Sequence, residues 1–285
     1  MNIKKLISRL AVFFIGLPLI AALVIYLPQL NHLAINIAAV VFSALGAVEF
    51  AGILKKKNLS LPVVEAVFLG AAAPAAMTAV VSFGAPILAL PAFMAAGASW
   101  VLISRIFSPE KKLENFMGRT AAGFAVLIYP GLFMSWIVRL SFLPKTEIII
   151  LTFLSSVFAN DSLAWTTGML FGKGNRGIIP ASPNKSIAGF IGGFAASALV
   201  GFLGVFLFPE AFRPRFPALP SGLILGFATG IAGSLGDLGE SAIKRSADVK
   251  DSGFLIPGRG GVLDSIDSLS LAAPVFYLVC RLLFY

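Results

Sequence analysis

Residues 236–269, GDLGESAIKRSADVKDSGFLIPGRGGVLDSIDSL, form the longest polar run in an otherwise apolar chain. The run holds six of the 13 acidic residues: Asp237, Glu240, Asp248, Asp251, Asp264 and Asp267. It also holds Lys244, Arg245, Lys250 and Arg259. Asp237, Glu240 and Lys244 stand at i, i+3 and i+7, so one helical face can present all three; Asp264 and Asp267 share a face in the same way. Residues 257–261, PGRGG, continue a helix poorly, and their glycines let backbone approach a ligand closely. The expectation is two short acidic helical faces joined by a loop. Carboxylates beside cations suit a metal and a polyphosphate bound together. A hard cation such as Mg²⁺ takes oxygen ligands and enters with substrate phosphates, while Lys and Arg neutralise the remaining charge. Composition by itself leaves open a solvated loop with scattered charges.

The rest of the chain sets the medium. Of 285 residues, 58% are hydrophobic and 12% charged, and the mean hydropathy is +0.93. Soluble domains carry about 25% charged residues, so the chain reads as an all-α, polytopic integral membrane protein with about nine spans. Cys280 and His32 are the sole cysteine and histidine, which excludes an internal disulfide and any cysteine or multi-histidine metal site. His32 reads as a loop residue. The net charge of +9 is spread over several short loops, so nucleic acid is not an expected partner.

Apolar runs place the spans at 10–27, 34–54, 63–83, 86–106, 120–140, 146–170, 184–208, 219–235 and 269–285, the last broken by Pro274. The basic start, with Lys4, Lys5 and Arg9, resembles a signal peptide, but no small-residue cleavage site follows, so a retained first helix is expected. With the N-terminus cytoplasmic, 17 of the 22 Lys and Arg fall on inner segments and 5 on outer ones. That puts the polar run at the cytoplasmic face of a cell (inner) membrane. Glu49 and Glu65 come near inner ends of spans, where an acid either faces headgroups or lines a polar cavity. Asp161 lies inside an apolar run, where a carboxylate is costly and a functional candidate by default. Gly222, Gly226 and Gly230, four apart, suit close helix packing. Gly172-x-Gly174-x-x-Gly177 matches the dinucleotide fingerprint formally, but a membrane helix and not a strand precedes it, so the match is set aside. The chain reads as one membrane-embedded domain, 1–285, with generic helices over 1–119.

Two motif blocks carry a resemblance. The first is Ser241-x-x-Lys244-Arg245 with Lys250-Asp251, then Pro257-Gly258-x-Gly260-Gly261-x-x-Asp264-x-x-Asp267. The second is Asn160-Asp161-Ser162-x-Ala164-Trp165-x-x-Gly168, then Ser182-Pro183-x-Lys185-Ser186-x-x-Gly189. Together they resemble the phosphatidate cytidylyltransferase family, from about residue 120 onward. Arg259, Ser265 and Trp165 stand where that family usually has His, Arg and Tyr. The resemblance implies CTP + phosphatidic acid → CDP-diacylglycerol + diphosphate, membrane lipids as surroundings, and a homodimer. Asp237, Asp264 and Asp267 are the expected ligands of Mg²⁺, for one or two cations. Lys244, Arg245 and Lys250 would hold the triphosphate or the lipid phosphate, with Asp251 beside them. Asp161, Ser182, Lys185, Ser186, Ser241, Arg259, Gly260 and Gly261 would complete the substrate site. A CTP-dependent lipid kinase is the nearest alternative, and an ion-coupled transporter the alternative from another class.

Overall fold

The computed structural model describes residues 15–107, 115–256, 258 and 260–285. In the described residues the chain is helical, with two isolated bridges, Arg176–Ser186 and Ile256–Gly260, in its loops. The helices are α1 (Leu17–Tyr26), α2 (Gln29–Lys55), α3 (Val63–Phe83), α4 (Ala89–Ile106), α5 (Phe116–Val126), α6 (Phe133–Arg139), α7 (Thr146–Phe171), α8 (Ile187–Leu207), α9 (Ala218–Ser246) and α10 (Leu263–Phe284). A π-helical segment, Leu127–Leu132, joins α5 to α6, and the stretch Phe116–Phe142 counts as one span. Eight helical stretches among the described residues are long and apolar enough to cross a membrane. The protein is an all-α, polytopic membrane protein. The first expected span, 10–27, begins outside the described residues, and its described part is the ten-residue α1.

The two acidic faces are the ends of long helices: Asp237 to Lys244 occupy the last turns of the 29-residue α9, and Asp264 and Asp267 the first turns of the 22-residue α10. One expectation needs correction: Pro274 does not break the last span, because α10 runs through it, as α3 runs through Pro74. In apolar surroundings an unpaired carbonyl is costly, so such gaps are covered locally. Pro74 has no amide proton to give Gly70 O, and Ser43 Oγ lies 2.7 Å from that carbonyl. Around Pro130 the helix widens to the π-form, and the same Ser43 Oγ lies 2.5 Å from Pro130 O.

The chain forms two compact units. Unit 1 comprises residues 1–139 and 246–266; unit 2 comprises 140–245 and 267–285. In unit 1, α2 and α3 pack closely enough that a Cβ at Gly70 would meet Ala47 Cβ and Ser43 O. Phe50, Leu69, Met77 and Leu127 are its large buried side chains. Lys57, after α2, pairs with Asp248, after α9, at 3.2 Å, so two segments expected on the inner side meet. His32 is not solvated: it is buried, at the end of a short left-handed stretch, residues 30–32, that opens α2.

In unit 2, α8 and α9 meet along small residues. A Cβ at Gly201, Gly222 or Gly226 would run into the facing backbone, and Ser197 Oγ donates to Gly226 O at 2.7 Å. The expected four-residue glycine spacing is therefore a packing seam that fixes α9 and its acidic last turns. Arg215 N donates to Leu283 O at 2.9 Å, joining a loop expected outside to the end of α10.

Candidate functional site

The acidic end of α9 is built by its sequence spacing. Asp237, Glu240, Ser241 and Lys244 share one helical face, and Lys244 Nζ lies 2.6 Å from Glu240 Oε2. Glu240 is fully buried. Ser241 Oγ donates to Asp237 Oδ1 at 3.4 Å. Lys185, from the loop before α8, reaches Asp237 Oδ2 at 2.7 Å. Lys185 of the second motif block thus meets Asp237, one helical turn before Ser241 of the first. Asp161 on α7 joins from the other side: Ser268 Oγ lies 3.5 Å from Asp161 Oδ2, and Asn160 Nδ2 donates to Ser234 Oγ at 3.1 Å. Asp267, buried on α10, feels the charges of Asp237, Glu240 and Asp161. A Cβ at Gly236 would run into Asp267 O, so glycine there lets α9 and α10 close up around these side chains. Unit 2 therefore gathers four carboxylates and two ammoniums.

The loop before α8 has a local logic. Ser186 is the N-cap of α8: its Oγ accepts from Gly189 N at 3.1 Å. A Cβ at Gly189 would lie 2.8 Å from Ala164 O, and one at Gly168 3.0 Å from Ser186 Oγ. The spacing Ser186-x-x-Gly189 is thus a cap followed by a close helix crossing, which gives Ser186 a structural task. Ser182 closes a turn, donating its amide to Ile179 O and accepting from Lys185 N, both at 3.1 Å, and so aims Lys185.

The loop between α9 and α10 belongs to unit 1, and so does Asp264. Asp264 Oδ2 accepts from Gly261 N at 2.6 Å and Ser252 N at 3.0 Å, and Ser252 Oγ lies 3.0 Å away. Gly260, at φ +113°, pairs with Ile256 in a narrow antiparallel bridge, a conformation that glycine adopts without strain. Glu49 on α2 reaches the same loop and accepts from Leu263 N at 2.8 Å. Of the two sequence readings for Glu49, the headgroup-facing one fails, because the side chain is buried. Its role was illegible in the sequence, since its partners lie more than 200 residues away. Lys250, Asp251 and Arg245 are exposed; Arg259 lies outside the described residues.

Donor chemistry in unit 2 fits a hard divalent cation: carboxylate oxygens crowd together, and their mutual repulsion is relieved by positive charge. Among the described residues no group of three or more acidic, histidine or cysteine side chains is placed to hold a metal by itself.

Comparison with known proteins agrees with these motifs. The model of the cytidylyltransferase family matches residues 7–283. A phosphatidate cytidylyltransferase of Thermotoga maritima is 36% identical over 169 residues, covering 58% of this chain and 61% of the relative. Those of Chlamydia pneumoniae and Synechocystis are 44% and 43% identical, over 39% and 45% of this chain and 37% and 41% of theirs. The chain thus spans between 37% and 61% of the length of these curated relatives. With the family's model covering nearly every residue and the spacing of both motif blocks kept, this chain belongs to the cytidylyltransferase family.

Proposed function

We propose that this protein makes CDP-diacylglycerol and diphosphate from CTP and phosphatidic acid at the cytoplasmic face of the cell membrane. The observation that carries the reading is the Asp161–Lys185–Asp237–Lys244–Asp267 cluster, built from both motif blocks. In the reaction, a phosphate oxygen of the lipid attacks the α-phosphorus of CTP. The bond to the bridging oxygen breaks, and diphosphate leaves. Such transfers need positioning and charge neutralisation more than covalent chemistry. The lipid phosphate is already ionised, so no histidine base is needed. Lys185 and Lys244, held by Asp237 and Glu240, supply cations for phosphate oxygens; Arg245, Lys250 and Arg259 are the further cations that the resemblance implies for the substrate. Asp237 and Asp267 would hold Mg²⁺, which when bound offsets the charge that builds on the phosphates. We assign Asp264 chiefly to shaping the loop, since its Oδ2 already takes two backbone N–H donors.

The deciding experiment supplies purified protein with CTP, phosphatidic acid and Mg²⁺ and identifies the products. CDP-diacylglycerol with diphosphate supports the reading. CDP with a phosphorylated lipid means a lipid kinase, and no turnover leaves transport. Topology has its own test, motivated by the 17-to-5 charge asymmetry. A cysteine at Lys57 should label only from the cytoplasm and one at Lys145 only from outside; the reverse pattern would invert the proposed orientation. A homodimer, implied by the family resemblance, is checked by the mass of the detergent-solubilised protein.

A further inference from the structure

Glu49 belongs to neither motif block, yet the structure seats it beneath the loop that carries one of them. Its Oε2 accepts from Ser252 Oγ at 3.0 Å and from Leu263 N at 2.8 Å. Leu263 is the first residue of α10, whose N–H groups lack partners within the helix. Glu49 therefore caps α10 from 214 residues away. An anion at a helix N-terminus is also favoured by the helix dipole. Two loop glycines make room for it. A Cβ at Gly253 would run into Glu49 Oε1, and a Cβ at Gly261 into Glu49 Oε2. Neither glycine has a positive φ, so what these positions need is the missing side chain. Glu49 Oε1 is buried without a hydrogen-bond partner, so its desolvation is tolerated only because Oε2 is so well held. Ser252 has one hydroxyl proton, and Glu49 Oε2 and Asp264 Oδ2 each lie 3.0 Å from its oxygen. The serine couples the two carboxylates, one at each end of the loop.

We propose that Glu49 is a positioning residue: through Ser252 and Leu263 it holds the described part of the loop, residues 252–256 and 260–263, in the shape that CTP use requires. The inference rests on the proposed CDP-diacylglycerol synthesis and adds to it a residue from the N-terminal helices.

The test uses the full-length protein in lipid nanodiscs. Glu49→Ala should raise KM for CTP about tenfold, the loss expected for a hydrogen bond to a charged group, with KM for phosphatidic acid little changed. Glu49→Gln, which keeps an acceptor oxygen, should recover most of the loss. Gly253→Ala should impair the wild-type background and be close to neutral in Glu49→Ala, because the clash is with the carboxylate. Neighbours in contact show such coupling, and independent sites add. A readout independent of turnover is amide exchange: Leu263 N–H should lose protection in Glu49→Ala. An unchanged KM for CTP, additive effects of the two substitutions, or undiminished protection at Leu263 would each overturn the inference. If the wild-type protein makes no CDP-diacylglycerol, the functional reading fails first, and exchange at Leu263 still decides whether Glu49 anchors the loop.

Discussion

Asp237→Asn and Asp267→Asn should each lower CDP-diacylglycerol formation by on the order of a thousandfold, with the protein still inserted and purifiable. Asparagine keeps the shape of the side chain and removes its charge. At Asp237 the loss strikes twice, because the carboxylate holds Lys185 at 2.7 Å as well as standing among the proposed cation ligands. At Asp267 the carboxyl sits buried near Asp161, Asp237 and Glu240, where a bound cation would offset the crowding of negative charge. Charge stabilisation by a metal is worth several kcal/mol in a transition state, and roughly 4 kcal/mol is about a thousandfold in rate. Asp248→Asn is the control. That carboxylate is 86% exposed and pairs with Lys57 on the surface, so its loss should stay within about 0.5 kcal/mol. Steady-state rates at saturating Mg²⁺ decide the matter. If Asp267→Asn keeps most of its activity, the cluster is structural and the proposed cation site is wrong.

Arg105→Ala should be the most destabilising single change in unit 1, at about 3–5 kcal/mol, the usual loss when one partner of a buried pair is removed. Arg105 and Glu65 have side chains 3% and 6% exposed, and the guanidinium meets the carboxylate with both terminal nitrogens, at 2.7 and 3.2 Å. Glu65 lies in the first turn of α3 and Arg105 in the last turn of α4, so each charge also complements the dipole of its own helix. Removing the arginine strands a carboxylate in an apolar bundle. Thermal unfolding followed in detergent should show a large drop for Arg105→Ala and for Glu65→Ala. The pair Glu65→Leu with Arg105→Met should recover much of it, because an apolar pair leaves no charge behind. A small shift for Arg105→Ala would mean that water reaches the pair.

Much of this protein is determined by local sequence. Apolar runs of about 20 residues can satisfy their backbone in lipid only as helices, so the all-α polytopic class follows from composition. The helical spacing of Asp237, Glu240, Ser241 and Lys244 places them on one face whatever surrounds the helix. The glycines of α9 mark a seam because only small residues let helices approach so closely. Other features depend on which segments meet. That Lys185 pairs with Asp237, and that Asp161 and Asp267 join the same cluster, follows from the packing of α7, α8, α9 and α10. The motif spacing names these residues without saying which touch. Ser186 reads as part of a substrate wall in sequence, and the structure adds a helix cap to its tasks, which rests on where its Oγ points. Glu49 and Glu65 have similar sequence settings, each an acid near the inner end of an apolar run. One caps a distant helix and the other pairs with Arg105. Local pattern cannot separate them, because a buried charge takes its role from its partner, and only the tertiary structure brings that partner within hydrogen-bonding distance.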